Sequence, residues 1–280
     1  MRVVSLVPSL TEAVAVSAPG LLVGATDWCS HPADLDVVRI GGTKNPDVAA
    51  VIRLRPDLVI ANEEENREPD LTALREAGVE VLVTEVRDLR QAFAELERVL
   101  VAGCGLARPR WLDEAEAAWA AVESGAVCGV VSGAGEASAA VSGVVPGAGE
   151  ASGAVSGTAG APRVAPTDGW RAIVPIWRRP WMVLGRNTFA GDLLARLGVE
   201  NVYAGHAERY PRIPVDELRG CGAQLAVLPD EPYRFAADDG PEAFPELPAA
   251  LVSGRHLTWY GPSLAEAPAV IGAALRAALR

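Results

Sequence analysis

The sequence predicts an α/β protein made of two parallel-sheet lobes with a ligand cleft between them, and two features of the chain predict it. Strand and helix patterns alternate through the first hundred residues and resume after residue 169. Two distant segments, LRPDLVIANEEEN at 54–66 and GAQLAVLPDEPYR at 222–234, each run from a turn through apolar residues and end in acid. Branched apolar residues with polar groups only at the carboxyl end mark a buried parallel strand. Ligands bind open α/β sheets just beyond those ends. One such strand in each half sets two mouths facing each other.

The first lobe, 1–100, reads element by element. RVVSLV is a strand, and Ser9-Leu10-Thr11-Glu12 has the form of a capping box opening a helix through Ala18. LLVGAT is a strand ending in the polar loop Asp27-Trp28-Cys29-Ser30-His31-Pro32. A short strand over Val37–Ile40 precedes GGTKNPD, where Asn45 is the expected cap of a helix with Pro46 in its first position. LVIA is the next strand, Pro69 starts a helix to Ala77, and VEVLVT follows as a strand. Such alternation implies right-handed crossovers and a parallel sheet.

Asp88 to Val122 is helical in pattern with a break over Gly103–Pro109, and 101–123 reads as a connecting helix. Trp111 and Trp119 fall on one face of it, as packing residues do. GVVSGAGEASAAVS at 129–142 then repeats as GVVPGAGEASGAVS at 143–156, matching at 12 of 14 positions. This Gly, Ala and Ser composition cannot offset its ordering entropy, so 124–168 is expected to be a low-complexity flexible insert. In the second lobe, 169–280, RAIVPI is a strand ending in Trp177-Arg178-Arg179-Pro180-Trp181. MVLG leads into the helix FAGDLLARL, QLAVL and AALVS are strands, and a helix closes the chain from Ser263 to Leu279.

Composition excludes several functions. A net charge of −11 over 280 residues argues against a nucleic-acid partner, which needs clustered cations. Lys44 is the sole lysine. The four cysteines form no CxxC, so neither a disulfide framework nor a structural zinc site is expected. Free thiols, and Met1-Arg2 leading straight into a strand, predict a cytoplasmic protein, periplasmic or cell-surface only if a leader was removed. No stretch approaches a membrane span, so no membrane insertion is expected. Neither GxSxG nor a P-loop occurs, and no catalytic residue is assigned.

The loops past the strand ends carry the candidate ligand-binding residues. These are Trp28 and His31; Asn62 and Glu64; Trp177 and Arg178; Tyr233; and Arg255, Trp259 and Tyr260. Aromatic faces beside guanidinium and carboxylate groups suit a large, flat, polar-rimmed ligand such as a tetrapyrrole or a metal chelate. Whether a side chain would bond the metal stays open, with Cys29, His31 and His256 the residues to weigh.

The ordered set RVVSLVPSLTE, GATDWCSHP, GGTKNPD, LRPDLVIANEEEN, and later LGVENVY and LPDEPYRF, resembles the class III periplasmic solute-binding proteins. These are the cobalamin, haem and iron–siderophore receptors of ABC importers. The resemblance covers nearly everything except 124–168. It implies two α/β lobes joined by one long helix, a bound corrinoid, haem or ferric chelate, and an ABC permease as partner if the chain is exported. The expected function is a cytoplasmic, non-catalytic binding protein for such a chelate, with no intrinsic cofactor. The alternatives are a class II chelatase-like tetrapyrrole enzyme, using His31 or His256 with Glu64, and a scaffold protein that kept the receptor fold.

Overall fold

The computed structural model describes residues 1–126 and 169–280. The first lobe holds five strands, β1 (Val3–Ser5), β2 (Leu22–Ala25), β3 (Val38–Arg39), β4 (Leu58–Asn62) and β5 (Val81–Thr84). They form one parallel sheet in the order β3-β2-β1-β4-β5. Its helices are α1 (Pro8–Ser17), α2 (Val48–Arg53) and α3 (Glu68–Glu76). Then α4 (Leu89–Glu97) runs into a π-helical stretch, Arg98–Gly103, and a bend leads to α5 (Arg110–Glu123).

The second lobe opens with β6 (Trp170–Ile173), followed by β7 (Pro175–Arg178), β8 (Trp181–Val183), β9 (Val199–Asn201), β10 (Leu225–Pro229) and β11 (Ala249–Val252). Four of these make a parallel sheet in the order β11-β10-β6-β9. Its helices are α6 (Phe189–Arg196), α7 (Val215–Gly220), α8 (Gly254–Thr258) and α9 (Ala267–Ala278).

Three local expectations are corrected. The Ser9–Glu12 capping box is not used: α1 starts at Pro8, which needs no N–H partner in the first turn, and Val7 is its cap. Ser9 and Glu12 are thereby buried inside the helix and free for other work. The cap of α2 is Asp47, not Asn45; its carboxylate accepts from the Ala50 N–H at 2.8 Å. The strand read through RAIVPI is broken after Ile173, and Pro175–Arg178 leaves the sheet to pair antiparallel with β8. Proline cannot donate to a ladder, which favours that exit. The insert expected at 124–168 lies, from residue 127 on, outside the described residues.

The two twin segments are built alike. In β4, Leu58 and Ile60 face the main core while Val59 and Ala61 face the outer core of the first lobe. In β10, Leu225 and Val227 face the main core while Ala226 and Leu228 face the outer core of the second. A period of two, apolar on both faces, is what a strand covered on both sides requires. The main core is continuous between the lobes, running from Leu10 and Leu96 through Trp119 to Leu193, Leu264 and Ile271. Trp119 on α5 is its largest fully buried side chain, and its indole N–H donates to the Leu264 carbonyl at 3.1 Å.

Candidate functional site

The carboxyl ends of the two sheets meet in a seam of different chemistry from the core behind it. Glu12 on α1 is 4 % exposed and is gripped by Arg255 on α8; the Arg255 Nε–H donates to one carboxylate oxygen at 3.2 Å and Nη2 bonds the other. Further along, Glu64, past β4, pairs with Arg209 and accepts from the Tyr210 hydroxyl at 2.9 Å. His31, past β2, sets its ring edge-on to Trp259 with centroids 5.3 Å apart. The backbone N–H of Leu89, at the start of α4, donates to Asp192 on α6 at 2.9 Å. At this β5/β9 end the seam opens into a cavity of about 690 Å3, with Arg87, Asp88 and Gln91 on one wall and Asn187, Thr188 and Asp192 on the other.

The ten residues singled out by sequence divide into groups. His31, Glu64, Arg255, Trp259 and Tyr260 lie in the seam. Trp259 is buried and its indole donates to Glu231 at 2.9 Å. Tyr260 is buried beside Ser9 and Thr84 of the other lobe, and burial drives its phenol well above the usual range. Asn62 sits at the seam floor with its amide spent on structure: Nδ2 donates to the Thr84 carbonyl and hydroxyl at 3.2 Å, and Oδ1 accepts from the Glu64 N–H at 2.8 Å. It shapes the turn that presents Glu64.

Trp177, Arg178 and Tyr233 form a separate cluster within the second lobe. Arg178 pairs with Asp239 and Glu242 and lies 5.6 Å over the Trp181 ring. The Tyr233 hydroxyl donates to Asp239 at 2.7 Å while its ring meets Trp177 edge-on at 5.6 Å. Trp177 is 42 % exposed, and Trp28, beside Gly42, is 69 % exposed.

Three groups of the seam, Glu12, Arg209 and Tyr210, escaped the sequence reading. Glu12 was hidden by its resemblance to a capping residue. Arg209 and Tyr210 stand in the patternless stretch HAERYPR, where no periodicity gives a side chain a direction. Glu65 is pushed up to about 7, chiefly by burial and then by the neighbouring Glu64, with Lys44 opposing. Burial likewise raises Glu231, against the pull of the Trp259 N–H. Burial first, and then Glu64, raise the Tyr210 phenol. The lone lysine braces this turn, Lys44 Nζ donating to the Glu64 carbonyl at 2.9 Å.

For metal ligation the candidates are differently placed. Cys29 is fully buried, its sulfur 3.0 Å from the Thr11 hydroxyl and 3.2 Å from that of Thr26, and burial keeps it a thiol. His256 bonds Ser253 at 2.8 Å through one ring nitrogen and Glu266 at 3.0 Å through the other. Among the described residues no group of three or more His, Cys, Asp or Glu is placed to hold a metal ion.

No family model matches the sequence. A stretch of 106 residues is 33 % identical to the "Uncharacterized ABC transporter substrate-binding lipoprotein YvrC" of Bacillus subtilis (strain 168), covering 36 % of this chain and 34 % of that protein. The match thus spans about a third of the curated relative's length. Among solved structures, the periplasmic heme-binding protein RhuT from Roseiflexus sp. RS-1, in apo form, aligns with a TM-score of 0.71 at 18 % identity, over 100 % of this chain and 99 % of that one. The periplasmic vitamin B12 binding protein BtuF of Vibrio cholerae aligns at 0.66 and 15 % identity, over 99 % and 97 %. The resemblance read from the sequence therefore extends to the whole fold: this is the two-lobe α/β architecture of the class III periplasmic solute-binding proteins.

The same comparisons correct the cytoplasmic expectation, since these relatives are a lipoprotein and periplasmic proteins. Burial accounts for two of the thiols without a reducing compartment, Cys221 being only part-buried. Cys29 and Cys104 are buried, and a thiol shielded from oxidant is tolerated on either side of a membrane.

Proposed function

We propose that this chain is an extracytoplasmic substrate-binding protein that holds a metal chelate, corrinoid, haem-like or ferric siderophore, in the seam between its lobes and hands it to an ABC permease. One observation carries the reading. Among the described residues, the buried side-chain polar atoms without a hydrogen-bond partner include three in the seam, Arg87 Nε, Thr188 Oγ1 and Arg209 Nη2, while the Ser9 and Tyr260 hydroxyls lie against each other there. Buried polar groups without partners are costly, about 1–3 kcal/mol each, and their concentration along one surface marks where a ligand would satisfy them. The cavity at the β5/β9 end borders two of these atoms, those of Arg87 and Thr188.

In this reading Trp259, Tyr260 and His31 supply aromatic faces, and Arg255 and Arg209 supply guanidinium groups for acidic edges of the ligand. Titration of the purified protein with haemin, cyanocobalamin and a ferric siderophore, followed by tryptophan fluorescence, tests it. Micromolar quenching by one chelate is expected; no quenching by any would leave the scaffold alternative.

A further inference from the structure

We propose that Arg209 and Tyr210 form a latch that holds the seam shut on Glu64, so that an anionic ligand must displace Glu64 from Arg209 in order to seat. This rests on the reading of the seam as the ligand cleft. The two residues lie on the segment between β9 and α7, which has no helix or strand of its own. Its backbone is nonetheless pinned to the second lobe. Gly185 N–H donates to the Arg209 carbonyl at 2.7 Å and Val183 N–H to the Pro211 carbonyl at 3.1 Å. The segment lies so close that a Cβ on Gly185 would come within 2.9 Å of the Pro211 ring. With the backbone fixed, only the side chains reach across, and their grip is a contact between lobes.

The other half of the latch is equally well held. Lys44 fixes the Glu64 carbonyl, and Asn62 fixes its N–H. Arg209 also has a donor to spare. Its Nε–H bonds the Asn187 carbonyl at 3.2 Å and Nη1 pairs with Glu64, whereas Nη2 is buried without a partner. A guanidinium with one paired and one idle donor is prepared for the two-point grip that an incoming carboxylate offers. Such a pair, part-buried and incompletely satisfied, contributes little net stability, so it can be exchanged rather than locked.

The test is backbone hydrogen exchange of the full chain without ligand, comparing wild type with Glu64→Gln and Tyr210→Phe. Peptides spanning 202–211 and 256–262 should exchange about tenfold faster in Glu64→Gln, and by a smaller factor in Tyr210→Phe, with melting temperatures confirming that both fold. Exchange unchanged in both folded variants overturns the latch. If exchange rises, haemin should associate faster with Glu64→Gln than with wild type; an unchanged association rate overturns the displacement step. A wild type that binds no chelate at all removes the receptor reading, while the ligand-free exchange still decides the latch.

Discussion

The two surfaces along which the lobes touch are opposites. Behind, around α5, they share one apolar core in which Trp119 is 1 % exposed and its single polar atom is bonded. In front, along the seam, they meet through Glu12–Arg255, Glu64–Arg209 and His31–Trp259, with idle polar atoms among them. Apolar burial is non-directional and scales with area, so the rear contact is strong and forgiving. Ion pairs removed from water gain little net energy and demand geometry, so the front contact is weak and selective. The rear thus holds the lobes together while the front can exchange partners.

Substitutions can break that contrast from either side. Trp119→Ala should have the largest effect, destabilising the protein by about 3–5 kcal/mol through the cavity it leaves. Its melting temperature should fall by roughly 10 °C, whereas chelate affinity of the folded fraction stays put; lost affinity at full folding would show that the rear also sets the site. Arg255→Ala comes next, since it strands Glu12 in a buried place, at a cost of about 2–3 kcal/mol in denaturant unfolding. Glu12→Gln combined with it should recover part of the loss, and no recovery would argue that Arg255 acts by packing alone.

Trp259→Ala is expected to weaken chelate binding by about 1–3 kcal/mol in a fluorescence or calorimetric titration. Equal affinity would remove that indole from the site. The last effect is on pH dependence. Glu65 has a raised value, about 7 against an ordinary 4.5, so the closed seam binds its proton more tightly than an open one. Closure should be firmest below pH 4.5, weaken as the pH rises toward 7, and level off above. Hydrogen exchange across the seam, corrected for its intrinsic pH dependence, reads this directly. Glu65→Gln should flatten the profile, and a profile unaltered by it would assign the effect elsewhere.

Much of the fold was legible because buried parallel strands write themselves as apolar runs, and β4 and β10 did so in 54–66 and 222–234. The site was half legible. Trp259 and Tyr260 announced themselves by chemistry and by position past a strand. Glu12 did not, because a glutamate three residues after a serine reads as a helix cap, and only Pro8 shows that the helix had already begun. Arg209 and Tyr210 lacked any local period, so nothing in the sequence said which lobe they would reach. Arg178 was legible as a loop arginine, yet Asp239 and Glu242, more than sixty residues on, claim it. Pairings at that separation are set by the fold alone.

The indole of Trp119 and the carbonyl of Leu264 are 145 positions apart, and each belongs to a half that lacks the other's share of the core. Neither half, made alone, could close its apolar face. Fragments 1–126 and 169–280 expressed separately should therefore stay unstructured or aggregate, and acquire native circular dichroism only when refolded as a mixture. The molecule has two lobes by shape but behaves as one cooperative unit, inherited and lost whole.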